Sequence, residues 1–225
     1  QEAVATAAAA AIEMGDVIGS THRGHGHCGA IGNKYCNGDG DRQNHWNAMM
    51  AELMGRETGY CKGRGGSMHI AEVDKQNNLG STGIVGGNQP PAVGAALAEK
   101  SKKTGRVVLS FFGDGSTNTG TFHESMNMAS TLKVPLVAII ENNLYGMSVP
   151  FSGSEIDGTL CASNIEDIAV RAAAYNVPGM IVDGQDPAAI FLAVKKAAER
   201  ARKENLMTII EAKTYRWYGH SRSDP

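Results

Sequence analysis

Long apolar runs are missing from this sequence. No stretch of 18 or more residues is apolar, so nothing reads as a bilayer-spanning helix. An excess of charge of either sign is missing too: 21 basic and 23 acidic side chains leave a formal net charge of −2. That balance argues against a nucleic acid or an anionic membrane as the main partner. Cysteine is sparse, and Cys28, Cys36, Cys61 and Cys161 show no CxxC spacing. They read as free thiols in a reducing compartment, taken as the cytoplasm, with no zinc or disulfide framework. Proline is ordinary at 7 residues, so no low-complexity linker interrupts the chain. The 225 residues suffice for one domain, spanning 1–225, with a sizeable core. Its start at Gln1 and its end at Asp224-Pro225 read as the limits of a piece of a longer chain, from which a targeting segment could have been removed.

Glycine is what the chain has in excess, at 28 of 225 residues, and 22 of these fall between Gly15 and Gly120. Glycine at that density implies backbone that turns sharply or approaches something closely. The second half alternates strand and helix patterns. Strands are expected over 106–112, 134–140, 180–183 and 206–215. Helices are expected over 121–133, from a cap at Asn164 to about Tyr175, and from the Asp186-Pro187 start to about Glu204. Near-continuous apolar strands separated by helices predict an α/β fold: a doubly wound, mostly parallel sheet with helices on both faces. The first half is less regular. Helices are expected over 2–14, over 46–54 and from Pro90-Pro91 to about Thr104, with long glycine-rich loops between them.

Three polar loops follow three of the expected strands: Gly113-Asp114-Gly115-Ser116, Glu141-Asn142-Asn143-Leu144-Tyr145-Gly146, and Tyr215 to Ser221. Ligands of open parallel sheets sit at the carboxyl ends of strands, near a switch in strand order. Asp114 offers a hard carboxylate and Asn143 an amide oxygen, a donor set that suits a magnesium ion holding a diphosphate. Gly113 and Gly115 leave backbone N–H groups free for phosphate before a helix N-terminus. Taken alone, the Gly-Asp-Gly reads as an ordinary capped strand-to-helix turn; the paired asparagines some thirty residues on shift that reading. Three other patterns carry less. His22, His25, His27 and Cys28 crowd together without zinc-type spacing or a second ligand cluster. Gly24 to Gly29 formally matches GxGxxG but is not expected between a strand and a helix. Asn37 to Asp41 lacks the glycine and glutamate of a calcium loop and reads as a solvated polar loop.

Together, Gly113-Asp114-Gly115 and Asn142-Asn143 resemble the thiamine diphosphate signature. His22-Arg23-Gly24-His25-Gly26, the Lys62 to His69 loop, Gly83-Ile84-Val85-Gly86, Glu141 to Met147 and Tyr218 to Pro225 extend the resemblance over almost the whole chain. They are similar to the α subunit of the decarboxylating component of 2-oxo acid dehydrogenase complexes, in its pyruvate and acetoin branches. The His22 to Cys28, Gly120 to Glu124 and Arg171 to Asn176 stretches look most like acetoin-type members. The resemblance implies thiamine diphosphate and Mg2+ as cofactors. It implies magnesium ligands at Asp114, Asn143 and the Tyr145 backbone carbonyl. It implies diphosphate contacts from Arg23, Gly115 and Ser116. His220 would reach the diphosphate or the reacting carbon, and Gly83 and Val85 would meet the aminopyrimidine through backbone. His25 would be an acid–base group at the substrate entrance. His69 and His123 read as structural hydrogen-bonders.

Two departures from the family pattern stand out. Residues 31–47 look like an insertion bringing Tyr35, Cys36 and Trp46 toward the entrance loop. The loop after Gly115 reads Ser-Thr-Asn-Thr-Gly, which bears on the groups supporting the metal aspartate. The glutamate that activates the cofactor has no match here, and the resemblance assigns it to a β subunit. That implies an α₂β₂ assembly, acting on a 2-oxo acid or acetoin and passing the acyl or hydroxyalkyl unit to a lipoyl-bearing acyltransferase. A transketolase-like or non-lipoyl oxidoreductase and a catalytically silent scaffold subunit are the competing readings. A nicotinamide-dependent dehydrogenase fails on the spacing of the loop after Phe112.

Overall fold

A computed structural model describes residues 1–152 and 160–224. Pro225, the last residue of the C-terminal motif, lies outside the described residues. Six strands form one sheet, all neighbours parallel, in the order β2-β1-β3-β4-β8-β7. They are β1 (Val17–Thr21), β2 (Asn78–Thr82), β3 (Val108–Gly113), β4 (Leu136–Asn142), β7 (Gly179–Asp183) and β8 (Thr208–Lys213). A two-residue hairpin, β5 (Tyr145–Gly146) with β6 (Val149–Pro150), sits after β4. The helices are α1 (Glu2–Ala11), α2 (His25–Lys34), α3 (Asp39–Leu53), the single turn α4 (Val73–Gln76), α5 (Gln89–Lys102), α6 (Gly120–Leu132) and α7 (Pro187–Glu204). Two 3₁₀ segments, Asp114–Asn118 and Ile168–Tyr175, complete the chain.

Side chains alternate across a strand, and here both faces are apolar, which is why the central strands read as continuous runs. Leu109 and Phe111 of β3, Val137 and Ile139 of β4, and Ile210 and Ala212 of β8 pack with α1, α7 and Ile31 of α2. Val108 and Phe112, Ala138 and Ile140, and Ile209 face the other way, onto α5, α6 and the 168–175 segment. The result is the α/β arrangement expected, helices on both faces of a six-stranded parallel sheet. No helix among the described residues is long and apolar enough to cross a membrane.

The first half is more regular than its sequence suggests. β1 (Val-Ile-Gly-Ser-Thr) and β2 (Asn-Leu-Gly-Ser-Thr) have too little apolar character to stand out, yet β1 lies between β2 and β3 as a buried member of the sheet. The Gly24–Gly29 stretch therefore does join a strand to a helix, contrary to expectation. The third helix begins at Asp39, seven residues before the expected Trp46, so Asn37 to Asp41 is mostly the acidic first turn of α3 rather than a free loop. Acidic residues there suit the positive end of the helix dipole. The helix expected from Asn164 is a 3₁₀ segment starting after Asp167. Its start is fixed by a tertiary contact, the Ala169 N–H donating to buried Glu211 Oε2 at 2.8 Å.

Part of the 31–47 stretch goes elsewhere than expected: Trp46 lies against Gly29, beside the His22 to Cys28 stretch, but Tyr35 does not. The Tyr35 hydroxyl accepts from the Gly15 N–H at 2.8 Å and the Asn77 amide at 3.1 Å, ahead of β1 and β2 and so at the amino edge of the sheet. His45 in α3 is buried, bonded to the Tyr60 hydroxyl at 2.6 Å and the Gly29 carbonyl at 3.0 Å. Gly32 is glycine because a Cβ there would lie 2.1 Å from the His45 ring. Nothing in the structure explains Gly40.

Candidate functional site at the carboxyl edge of the sheet

From β1 the chain passes to β2 on one side, then returns to β3 on the other, so the strand order switches between β1 and β3. Parallel pairing puts the loops after β2, β1, β3, β4 and β8 along one edge. In that order they carry Gly83 and Val85, then Arg23, then Asp114, Gly115 and Ser116, then Asn143 and Tyr145, then His220. A crevice outside the carboxyl ends at a switch point is where such folds bind ligands.

Asp114 opens the 3₁₀ turn after β3 and is 2% exposed. Its Oδ2 is buried without a hydrogen-bond partner. Burial pushes its carboxyl up to about 6, against weaker opposing help from backbone N–H groups and Arg216. Ser116 is turned inward: its hydroxyl donates to the Gly113 carbonyl at 2.7 Å and accepts from the Gln89 amide at 3.3 Å. Its hydroxyl is thereby engaged within the fold. Gly115 lies against the hairpin, a Cβ there falling 3.5 Å from Gly146 Cα, so the loops after β3 and β4 meet directly.

The second loop is shaped by side chains rather than by glycine. Asn142 is fully buried; its amide donates to Glu211 Oε1 at 2.7 Å and its Oδ1 accepts the Leu144 N–H at 2.9 Å. That bond helps hold Leu144 at φ 72°, a conformation L side chains rarely adopt. Asn143 Oδ1 accepts the Tyr145 N–H at 3.2 Å. Arg216 donates to the Met147 carbonyl at 2.7 Å and lies over the Tyr145 ring, 5.5 Å from its centroid. Behind the first loop, the Arg171 guanidinium bonds the Thr117 carbonyl, Asn118 Oδ1 at 2.7 Å and Ser163 Oγ at 3.2 Å.

Arg23 and His220 meet although 197 positions apart. Arg23 Nη1 donates to the His220 carbonyl at 3.0 Å and Nη2 contacts His220 Nδ1 at 2.9 Å. Guanidinium has no acceptor, so Nδ1 accepts and the imidazole proton sits on Nε2. Burial and the Arg23 and Arg216 charges lower the His220 pKa, keeping the ring neutral. His22 lies edge-on to His220, ring centroids 5.6 Å apart; burial, Arg23 and His220 lower its pKa too. Arg23 itself has φ 63° and its N–H donates to the Met68 carbonyl at 3.3 Å. Gly83 sits beside His69, whose Cε1 would lie 3.0 Å from a Cβ there. His69 Nδ1 bonds the Ser81 carbonyl at 3.0 Å, and His123 Nδ1 the Tyr175 hydroxyl at 2.6 Å, the structural roles expected of both. Val85 is exposed in the same loop as Gly83.

The four residues that crowd in sequence part in space. His27 turns inward to Ser20 Oγ at 3.0 Å and Glu141 Oε1 at 3.4 Å, and Cys28 is fully buried. His25 is exposed at the start of α2, with Glu2 of α1 among its charged neighbours. No described contact joins it to Arg23 or His220. Among the described residues no group of three or more His, Cys, Asp or Glu could hold a metal ion. Two carboxylates escaped the sequence reading. Glu211 stood as a charge inside a buried apolar strand, a usable signal; Glu52, on an irregularly patterned helix, gave none.

An enzyme from Mycobacterium smegmatis described as thiamin diphosphate-dependent shares this fold, with a TM-score of 0.55 at 15% identity over 96% of this chain and 32% of that one. Benzoylformate decarboxylase from Polynucleobacter necessarius superposes with a TM-score of 0.57 at 14% identity, over 95% of this chain and 33% of that one. The chain belongs to the dehydrogenase E1 component family, whose model matches residues 1–225. It is 49% identical over 224 residues to the α subunit of acetoin:2,6-dichlorophenolindophenol oxidoreductase from Bacillus subtilis (strain 168), covering all of this chain and 61% of that one. It is 39% identical over 232 residues to the pyruvate dehydrogenase E1 α subunit of Porphyra purpurea, covering all of this chain and 62% of that one. The chain thus spans about three-fifths of the length of these curated relatives.

Proposed function

We propose that this chain is the diphosphate-holding part of the α subunit of a thiamine diphosphate-dependent acetoin dehydrogenase. The observation that carries the reading is Asp114: a nearly buried carboxylate with one oxygen unpartnered, beside the loop of Asn143. A hard divalent cation takes such a donor set and leaves its remaining positions to phosphate oxygens and water, so the residues present fit magnesium. Asp114, Asn143 and the Tyr145 carbonyl would hold that ion. Arg23 would neutralise diphosphate charge, and Gly115 and Ser116 would contact it directly. Gly83 and Val85 would meet the aminopyrimidine through backbone. His220, neutral and protonated on Nε2, would donate a hydrogen bond toward diphosphate or substrate. His25 would be an acid–base group at the entrance.

Thiamine diphosphate, when bound, supplies a carbon nucleophile and an electron sink for breaking a bond beside a carbonyl. This chain's part is to bind, orient and neutralise; the activating glutamate would come from a β subunit in an α₂β₂ assembly. The fragment would pass to a lipoyl-bearing acyltransferase. Acetoin is favoured by the 49% identity to the B. subtilis protein and by the His22 to Cys28 stretch. Pyruvate is the second reading, supported by the 39% identity to the P. purpurea protein.

The test is turnover by the full-length chain assembled with its β partner. Acetoin cleavage with lipoamide or dye reduction should exceed pyruvate turnover, and the chain alone should be inactive. Asp114→Ala should abolish magnesium-dependent cofactor binding in a folded protein. Full activity of the isolated chain, or unchanged cofactor affinity in the variant, would refute the assignment.

A further inference from the structure

We propose that Glu52 is a positioning residue: its carboxylate pins the glycine-rich 59–66 loop from inside the fold, and that loop sets the backbone of Arg23 and the surroundings of Gly83. The inference rests on the cofactor roles of Arg23 and Gly83 proposed above. Glu52 lies in the last turn of α3 and is fully buried. It has no cationic partner among its described bonds. Instead it accepts four backbone N–H groups, from Cys61 at 2.7 Å and Gly63 at 2.9 Å on Oε2, and from Gly65 at 2.7 Å and Gly66 at 2.9 Å on Oε1. A loop without regular secondary structure thereby gains four of its backbone bonds from one side chain. Burial works to raise the Glu52 pKa, but the four N–H groups outweigh it and the carboxyl is held below its ordinary range.

The glycines belong to this arrangement. Gly63 has φ 73° and a Cβ there would fall 2.4 Å from the Gly55 carbonyl carbon. The loop folds flat onto the end of α3 so that its amides converge on one carboxylate. From there the contacts run outward. The Gly65 carbonyl accepts the His69 N–H at 3.1 Å, and the Met68 carbonyl accepts the Arg23 N–H at 3.3 Å. His69 reaches the Ser81 carbonyl and stands against Gly83. Arg23 needs that support because its backbone is in the left-handed region.

The experiment uses the full-length chain assembled with its partner subunit. In the wild type, amide hydrogen exchange should show Cys61, Gly63, Gly65 and Gly66 protected like the sheet; exchange at loop rates would overturn the proposal without any variant. Glu52→Gln replaces an acceptor oxygen with an NH₂ group that repels two of the amides. It should open trypsin cleavage after Lys62 and Arg64. It should also raise the thiamine diphosphate dissociation constant at least tenfold, with kcat at saturating cofactor within about twofold of wild type. Glu52→Asp, which keeps the carboxylate, should recover part of the affinity and of the trypsin resistance. Asp114→Ala separates the two readings. If it retains cofactor affinity, the functional assignment fails. If it loses affinity while Glu52→Gln keeps both affinity and trypsin resistance, only the role of Glu52 fails.

Discussion

Asp114 is a carboxylate whose surroundings favour its neutral form. Burial lifts its pKa to about 6 from an ordinary 3.8. A raised carboxyl binds a proton more tightly folded than unfolded, so ionising it destabilises the cofactor-free protein. That penalty is full above about pH 6 and vanishes below the ordinary aspartate range. Cofactor-free Asp114→Asn should therefore be more stable than the wild type by about 2–3 kcal/mol at neutral pH. Chemical denaturation across pH should show the gap closing as pH falls through about 6 toward 4. A gap that stays constant with pH would mean that the Asp114 charge does not oppose folding. Glu52 shows the opposite sign. Four N–H donors make its ionised form the stable one, and that stabilisation is lost only as pH falls below the usual glutamate range.

Elements meet at the site through a few side chains that reach from one to another. Arg171, in the 168–175 segment, holds the far end of the 114–118 turn through Thr117 and Asn118. Arg171→Met removes those bonds without opening a cavity. We expect a loss of about 1–2 kcal/mol in stability. Magnesium-dependent cofactor affinity should fall roughly tenfold, since 1.4 kcal/mol of misplaced turn is a factor of ten. Isothermal titration measures the second effect, and unchanged affinity would show that the turn keeps its shape unaided. The start of α7 was legible because it is local: Asp186 accepts from Ala188 and Ala189 ahead of a well-patterned helix. The start of the 168–175 segment was not, because Glu211 on another strand fixes it. β1 and β2 were missed for a related reason. Both end in Gly-Ser-Thr, which carries little apolar signal, and pairing with β3 is what makes β1 a strand.

At the scale of the whole molecule, segments far apart in sequence are locked together at the amino edge of the sheet. Asp16, 1% exposed, accepts two bonds from Arg202, at 3.1 and 2.7 Å, and one each from the Glu13 and Val107 N–H groups. Arg202→Met leaves that carboxylate buried with backbone donors alone and should cost about 3 kcal/mol in urea denaturation. A loss below about 0.5 kcal/mol would place this pair with ordinary surface ion pairs. By itself the sequence determined the α/β class, β3, β4, β7 and β8 with α6 and α7, and it marked Asp114 and Asn143 as candidate ligands; Arg23 and His220 were marked by resemblance to the family. Apolar periodicity and the chemistry of short loops are properties of neighbouring residues, and they can be read along the chain. Only the tertiary structure decided that β1 lies at the switch point, that Arg23 meets His220, that Tyr35 reaches the amino edge and that α3 packs on α2 through His45 and Trp46. It also decided that backbone N–H groups of the 59–66 loop converge on Glu52. Each of these depends on which groups are buried together. Burial turns a glutamate from a solvated surface charge into the acceptor on which a whole loop is organised, and no local pattern records it.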